Sequence, residues 1–168
     1  MRISAVPAII LVSLFIPSFA AGQEKKFRSV LIDVGAKVDR VVTADVNADG
    51  LKDVILQSGH DLRLFIHRRV GGIPNKADAS LRLPSNVFLW TLAKLGDDRK
   101  PWLFTMTSEG VSAHAPTETG FAADPTEILI VPNIFEGQST APPCHVDFLS
   151  DLNDDARPDI LLFTRTHW

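Results

Sequence analysis

Cysteine is almost absent from this chain. Cys144 is the only one among 168 residues, so an internal disulfide is excluded, and we predict a small buried thiol at this position. A long amphipathic helical pattern is also missing after the N-terminal segment. Apolar runs rich in β-branched residues alternate instead with turn-forming residues. This pattern predicts an all-β fold, and the length is sufficient for a domain with its own core.

The charge pattern and the motif content exclude several functional classes. The net charge is only −3, and the lysines and arginines are scattered rather than gathered into the basic stripe of a nucleic-acid-binding protein. The sequence has no G-x-S-x-G or H-E-x-x-H motif and no glycine-rich phosphate loop. His145 follows Cys144, but neighbouring residues of a strand point to opposite faces and do not form a catalytic pair. We therefore predict no catalytic residue and no enzymatic activity in this chain.

Residues 1–22 have the pattern of an export signal. Arg2 provides a positive charge, an apolar run occupies 3–15, and small residues at 18–20 and 20–22 match cleavage patterns. A membrane anchor is the alternative, but the apolar run is short and is interrupted by proline. We predict a signal peptide, export to the periplasm, the cell surface or the medium, and no membrane span after cleavage.

Residues 45–53, between two apolar runs, form a short acidic loop with regularly spaced oxygen atoms. A hard cation such as calcium takes about six to eight oxygen ligands. Glycine at the sixth position permits the sharp bend that such a loop needs, because it accepts positive φ. An ordinary polar turn is the alternative interpretation of a single loop. The predicted Ca2+ ligands are Asp45, Asn47, Asp49, the main-chain carbonyl of Leu51, and Asp53.

The loop recurs near the C-terminus at 151–159. Its oxygen-bearing side chains occupy the same four positions, and the apolar run after it matches the run after the first loop. Ala156 replaces the glycine, which predicts a strained or different bend. The predicted ligands here are Asp151, Asn153, Asp155, the main-chain carbonyl of Arg157, and Asp159.

A third, altered copy lies between the two intact loops. Lys94, Gly96 and Trp102 stand where the intact loops have ligands, so we predict that this copy binds no metal. Our hypothesis is that the Lys94 ammonium group replaces the charge of the ion beside Asp97 and Asp98, and that Trp102 covers the loop. Successive copies begin about fifty residues apart, a period typical of repeat architectures such as propellers.

The two intact loops resemble the D-x-[DN]-x-D-G-x-x-D loop of the FG-GAP/VCBS repeat family, calcium-binding β-propellers that include integrin-α-like repeats. The resemblance covers about 37–165. It implies four-stranded antiparallel blades, with calcium in a loop that joins two strands of a blade. It also implies an extracellular protein whose propeller binds a partner or supports another domain.

The repeat spacing predicts how the chain is divided. After the leader we expect one repeat region over 23–168, with blades at about 27–83, 84–131 and 132–168. The third blade is expected to be incomplete because the sequence stops where its later strands should begin. A propeller closes with about four to eight blades. We therefore expect a partial β-propeller that is completed by a longer chain or by an assembly.

Two functions are consistent with these features. The first is an exported, non-catalytic, calcium-binding module that presents a surface to a protein or a glycan. The second is an accessory or scaffold part of a secreted hydrolase or lyase that acts on polysaccharide. Paired carboxylates can catalyse glycoside hydrolysis. A catalytic acid needs a raised pKa, however, and a bound cation lowers the pKa of its ligands, so we favour a structural metal.

Overall fold

The computed structural model describes residues 9–13, 29–135, 141–155, 157–162 and 164. These residues form β-strands and connections without any helix, which confirms the all-β prediction. No helix that could span a membrane is found in the described part of the chain. The strands are β1 (Ile9–Ser13), β2 (Ser29–Asp33), β3 (Arg40–Ala44), β4 (Asp53–Ser58), β5 (Asp61–Phe65), β6 (Ala79–Arg82), β7 (Leu89–Ala93), β8 (Trp102–Thr107), β9 (Gly110–His114), β10 (Thr126–Ile130), β11 (Cys144–His145), β12 (Leu149–Ser150) and β13 (Asp159–Ile160).

The first sheet is a four-stranded antiparallel meander in the order β3-β4-β5-β6. Its connections are short, so each strand pairs with its neighbour in the sequence. Strand β4 is buried from Asp53 to Gln57 because both of its faces are covered. Ile55 packs in one hydrophobic cluster, whereas Val54 and Leu56 pack in another on the opposite face.

The second sheet has the order β10-β9-β8-β7-β11. Strands β7 to β10 form a second antiparallel meander, and β11 joins its edge in parallel to β7. Strands β12 and β13 form a small antiparallel pair on either side of the loop at 151–159. None of the sheets in the described residues closes on itself.

One hydrophobic cluster joins the two large sheets. Trp90 and Leu103 of the second sheet pack with Ile55, Leu62 and Leu64 of the first. All five side chains are almost fully buried. Burial of a large apolar side chain stabilises a fold by about 1.5–3 kcal/mol, so this contact holds the two meanders face to face.

Strand β1 lies inside the predicted leader. It pairs antiparallel with β2, from Ile9 opposite Asp33 to Ser13 opposite Ser29. Cleavage of the leader would remove β1 from the mature protein, and that cleavage stays a prediction. The rest of the leader, and Ala156 with its predicted strain, lie outside the described residues.

Cys144 does not have the predicted buried position, since its thiol is exposed. The residue belongs to β11, which lies at the edge of the second sheet. Its neighbour His145 is the one that turns inward, with its ring 4.5 Å from that of Trp90 in an edge-to-face contact. Because side chains alternate along a strand, only one of the two can face the core.

Candidate functional site

The loop at 45–53 connects β3 to β4 and begins where their ladder ends, at the pair Ala44 and Asp53. Two residues of the loop have positive φ, Ala48 at 63° and Gly50 at 85°. The bend at Gly50 was expected from the sequence. The left-handed conformation of Ala48 was not expected, because it is uncommon for residues other than glycine.

The polar side chains of this loop turn inward onto its own backbone. The two carboxylate oxygens of Asp45 accept hydrogen bonds from the N–H groups of Asp49 (3.1 Å) and Gly50 (2.9 Å). The Asn47 side-chain oxygen also accepts from the Asp49 N–H, at 3.0 Å. Asp49 in turn accepts from the Leu51 N–H at 2.8 Å, and this bond is the main cause that lowers the pKa of Asp49. The loop is therefore wound tightly around its acidic side chains.

Asp53 closes the loop and is completely buried. Its carboxylate accepts a hydrogen bond from the Val46 N–H at 2.9 Å and another from the His67 N–H at 2.7 Å. Burial raises the pKa of Asp53 in spite of these bonds, and the negative charges of Asp49 and Asp45 raise it further. Among the described residues, Asp53 forms no ion pair. A buried carboxylate without a cation is an unfavourable arrangement.

The loop at 151–159 repeats this geometry. The Asp155 N–H donates to side-chain oxygens of Asp151 (3.1 Å) and Asn153 (3.0 Å). The Asp49 N–H makes the equivalent two bonds in the first loop. The Arg157 N–H donates to Asp155 at 2.9 Å. The Leu152 N–H donates to Asp159 at 2.9 Å, which matches the bond from Val46 to Asp53. Asp154 has φ of 60° at the position equivalent to Ala48.

The altered copy has a different structure. The indole N–H of Trp102 donates to the Asp98 carboxylate at 2.7 Å, so Trp102 lies against this loop as predicted. Lys94 is exposed, and none of the ion pairs among the described residues joins it to Asp97 or Asp98. The hypothesis that Lys94 replaces the charge of an ion here therefore has no ion pair in its support and stays a prediction. The indole supplies the donor that Asp98 needs.

The residues of the first loop suit a hard cation better than a soft one. The side chains at its ligand positions offer oxygen atoms, and among the residues that the structure describes the buried Asp53 has no positive partner. Within the described residues, however, no three His, Cys, Asp or Glu side chains are close enough to hold a metal by themselves. A cation in this loop would therefore need ligands of another kind as well. The Asn47 side-chain oxygen and main-chain carbonyls such as that of Leu51 are of that kind.

A cleft lies between the first loop and the altered loop. Its volume is about 610 Å³, and its apolar lining includes Leu92 and Pro101. Lys52, Lys94 and Arg99 also line it, and within the described residues none of the three forms an ion pair. The cleft therefore gathers three cationic side chains, and the Asp45 carboxylate of the acidic loop also belongs to its lining.

Sequence reasoning missed a buried polar link between the two large sheets. Gln57 is almost fully buried, accepts a hydrogen bond from the Trp90 indole at 3.0 Å, and donates to the Gly59 and Pro143 carbonyls. It also missed a polar cavity beside His114. The available signal was a set of polar residues within strands that are otherwise apolar, such as Gln57 in β4 and Thr105 in β8.

Comparison with known proteins does not assign the chain. No protein-family model matches it, and no curated protein matches it significantly. The resemblance of the loops to the FG-GAP/VCBS repeat therefore stays a prediction.

Proposed function

We propose that this chain is an exported, non-catalytic, calcium-binding repeat module of the FG-GAP/VCBS type. The observation that carries the proposal is that the loops at 45–53 and 151–159, remote in sequence, share five equivalent hydrogen bonds. An ordinary polar turn has no need to keep acidic residues at positions one, five and nine. A cation that takes all three acidic side chains as ligands would explain why both loops have them at the same positions.

Electrostatics supports calcium in the first loop. Asp45, Asp49 and Asp53 carry three negative charges within nine residues, and the last of them is buried. The charges of Asp45 and Asp49 raise the pKa of Asp53, which means that the three carboxylates repel one another. A divalent ion would neutralise this repulsion and would bind only the folded loop, so it would stabilise the fold.

The proposed ligands have equivalent positions in the two loops. Side-chain oxygens come from positions one, three, five and nine, and the main-chain carbonyl comes from position seven. In the first loop these residues are Asp45, Asn47, Asp49, Leu51 and Asp53, and in the second Asp151, Asn153, Asp155, Arg157 and Asp159.

The order of the strands supports part of a β-propeller. Two successive four-stranded meanders pack face to face, and each has its acidic or altered loop between its first and second strands. Propellers are built from such sheets around a central axis. The parallel pairing of β11 with β7 brings the segment that leads to β12, the strand before the loop at 151–159, beside the first strand of the second meander.

We propose that the partner is a protein or a glycan with acidic groups. The lining of the cleft holds Lys52, Lys94 and Arg99 against the single carboxylate of Asp45, and a calcium ion in the neighbouring loop would neutralise that carboxylate. Complementary charge of this kind guides association and selects among partners.

Thermal unfolding of the full chain with calcium or with EDTA tests the function. We expect calcium to raise the melting temperature, because a ligand at a hundred times its Kd stabilises a fold by about 2.7 kcal/mol. Magnesium at the same concentration should raise it less, since it prefers a smaller octahedral site and retains its water. Equal melting temperatures with calcium and with EDTA would contradict the proposal.

A further inference from the structure

A second, smaller cavity lies between the second sheet and the connection from β6 to β7. Its volume is about 180 Å³. One wall is a row of directly paired residues across the second sheet, in which Thr105 pairs with Ser112, and Ser112 with Glu127. Trp90, at the inner end of the same row, packs against the first sheet. Because directly paired side chains share one face of a sheet, this polar row also faces the first sheet. Asn86, from the connection between β6 and β7, lines the cavity too.

His114 lines this cavity and is almost fully buried, with 1% of its surface exposed. Its Nδ1 lies 2.9 Å from the Ala122 carbonyl oxygen, which can only accept, so Nδ1 carries a proton. The Nε2 atom is buried and has no hydrogen-bond partner among the residues that the structure describes. In the neutral ring Nε2 is therefore a free acceptor. Buried polar atoms in folded proteins are rarely left unpaired. Less than 1 Å² of this atom is accessible, so a ligand in the cavity would reach it through a small movement of the ring.

A β-bulge shapes the outer end of this wall, at Glu127. In β10, Glu127 pairs with Ser112, whereas Ile130 pairs with Gly110, so the register shifts between Glu127 and Leu129. Residues three apart in a regular strand point to opposite faces. The bulge brings Glu127 and Ile130 to the same side, where both line the cavity. Gly110 permits it, because a Cβ there would lie 1.9 Å from the Leu129 carbonyl oxygen.

The cavity has acceptors and negative charge but no cation. Its lining includes the carboxylates of Glu109 and Glu127, the hydroxyls of Thr105 and Ser112, and the ring of His114, and it includes no lysine or arginine. Neither carboxylate forms an ion pair among the described residues. Apolar atoms of Pro84, Val87 and Pro125 complete the lining.

We propose that this cavity binds a small alkylammonium ion, a primary amine with only a few carbon atoms. Its three N–H donors match the Glu127 carboxylate, the His114 Nε2 and the neighbouring hydroxyl oxygens, and its alkyl chain matches the apolar part of the lining. The volume of about 180 Å³ is smaller than the 300–1,000 Å³ or so of sites for drug-sized molecules, which favours a ligand of a few carbon atoms. This site is separate from the acidic loops and does not depend on calcium.

The test is a titration of the full chain, labelled with 15N, with propylamine, 1-propanol and propionate. We expect propylamine to shift the amide signals of Ser112 and Glu127, and we expect 1-propanol and propionate to shift them much less. Glu127→Gln should weaken propylamine binding about tenfold, because it removes a charge-assisted hydrogen bond. Glu118→Gln is the matched control, since Glu118 is exposed in the connection between β9 and β10 and does not line the cavity.

Three outcomes would overturn the proposal. Propylamine could fail to bind, or it could bind no better than 1-propanol. Alternatively, Glu118→Gln could weaken binding as much as Glu127→Gln. Both substituted side chains are exposed, so neither variant is expected to unfold the protein.

Discussion

The indole nitrogen of Trp90 donates a hydrogen bond to the side-chain oxygen of Gln57 at 3.0 Å. The two residues belong to different sheets and are both almost fully buried. The Gln57 amide nitrogen also donates to the Pro143 carbonyl at 2.6 Å, in the segment that leads to β11. One buried side chain therefore links three parts of the chain that lie far apart in sequence.

Gln57→Ala is expected to destabilise the fold by about 2–4 kcal/mol. The change leaves the Trp90 N–H and the Pro143 carbonyl without partners in a buried place, and each such group costs about 1–3 kcal/mol. Chemical denaturation measures the change in the free energy of unfolding. Lys76→Ala, at an exposed loop position, is the control and should change it by less than about 0.5 kcal/mol. If Gln57→Ala lowered the free energy of unfolding as little as the control does, the link between the sheets would not contribute to stability.

Asp53→Asn is expected to destabilise the first loop even without calcium. Both carboxylate oxygens accept backbone N–H groups, and the amide NH2 of asparagine would oppose one of these donors. An unsatisfied buried group costs about 1–3 kcal/mol. Chemical denaturation in the presence of EDTA, which removes calcium, measures this loss in the free energy of unfolding. Asp97→Asn, in the exposed altered loop, is the matched control and should be neutral. Equal effects of the two variants would contradict the closing role of Asp53.

Acid should weaken the contact between His145 and Trp90. Burial, together with the nearby positive charge of Arg40, lowers the pKa of His145 below its ordinary value of 6.5. As pH falls below 6.5, the unfolded chain takes up this proton before the folded chain does, so the unfolded state is favoured. The stability from neutral His145 is complete above pH 6.5 and is lost as pH falls through the lower pKa of the folded state.

The slope of unfolding free energy against pH in this range measures the effect. His145→Gln should flatten the slope, because glutamine does not titrate. His60→Gln leaves the His145 ring in place, so the part of the slope that comes from His145 should remain. An unchanged slope in His145→Gln would mean that the ring does not titrate in this window.

Much of the first site could be predicted because it is local in sequence. The oxygen-bearing residues of 45–53 and the β-branched runs around them indicated the loop, its flanking strands and the bend at Gly50. The positive φ of Ala48 could not be predicted from propensity. It follows from the hydrogen bonds that wind the loop around Asp45 and Asn47.

Features that depend on distant partners were missed. Cys144 looked like a core residue, but the parallel pairing of its strand with β7 turns His145 inward instead. The cavity beside His114 combines residues of β8, β9 and β10 with the connection before β7. No local pattern indicates that these residues meet. A bulge in β10 also changes which side chains share a face.

The most direct measurement is a calorimetric calcium titration of the full chain and of two matched double variants. Asp45→Asn with Asp49→Asn should abolish the binding step of the first loop, because two charged ligands become neutral. Asp97→Asn with Asp98→Asn, in the altered loop, should leave calcium binding unchanged. We expect saturable binding in the parent chain and a selective loss in the first variant. No calcium binding in the parent chain, or equal loss in both variants, would contradict it.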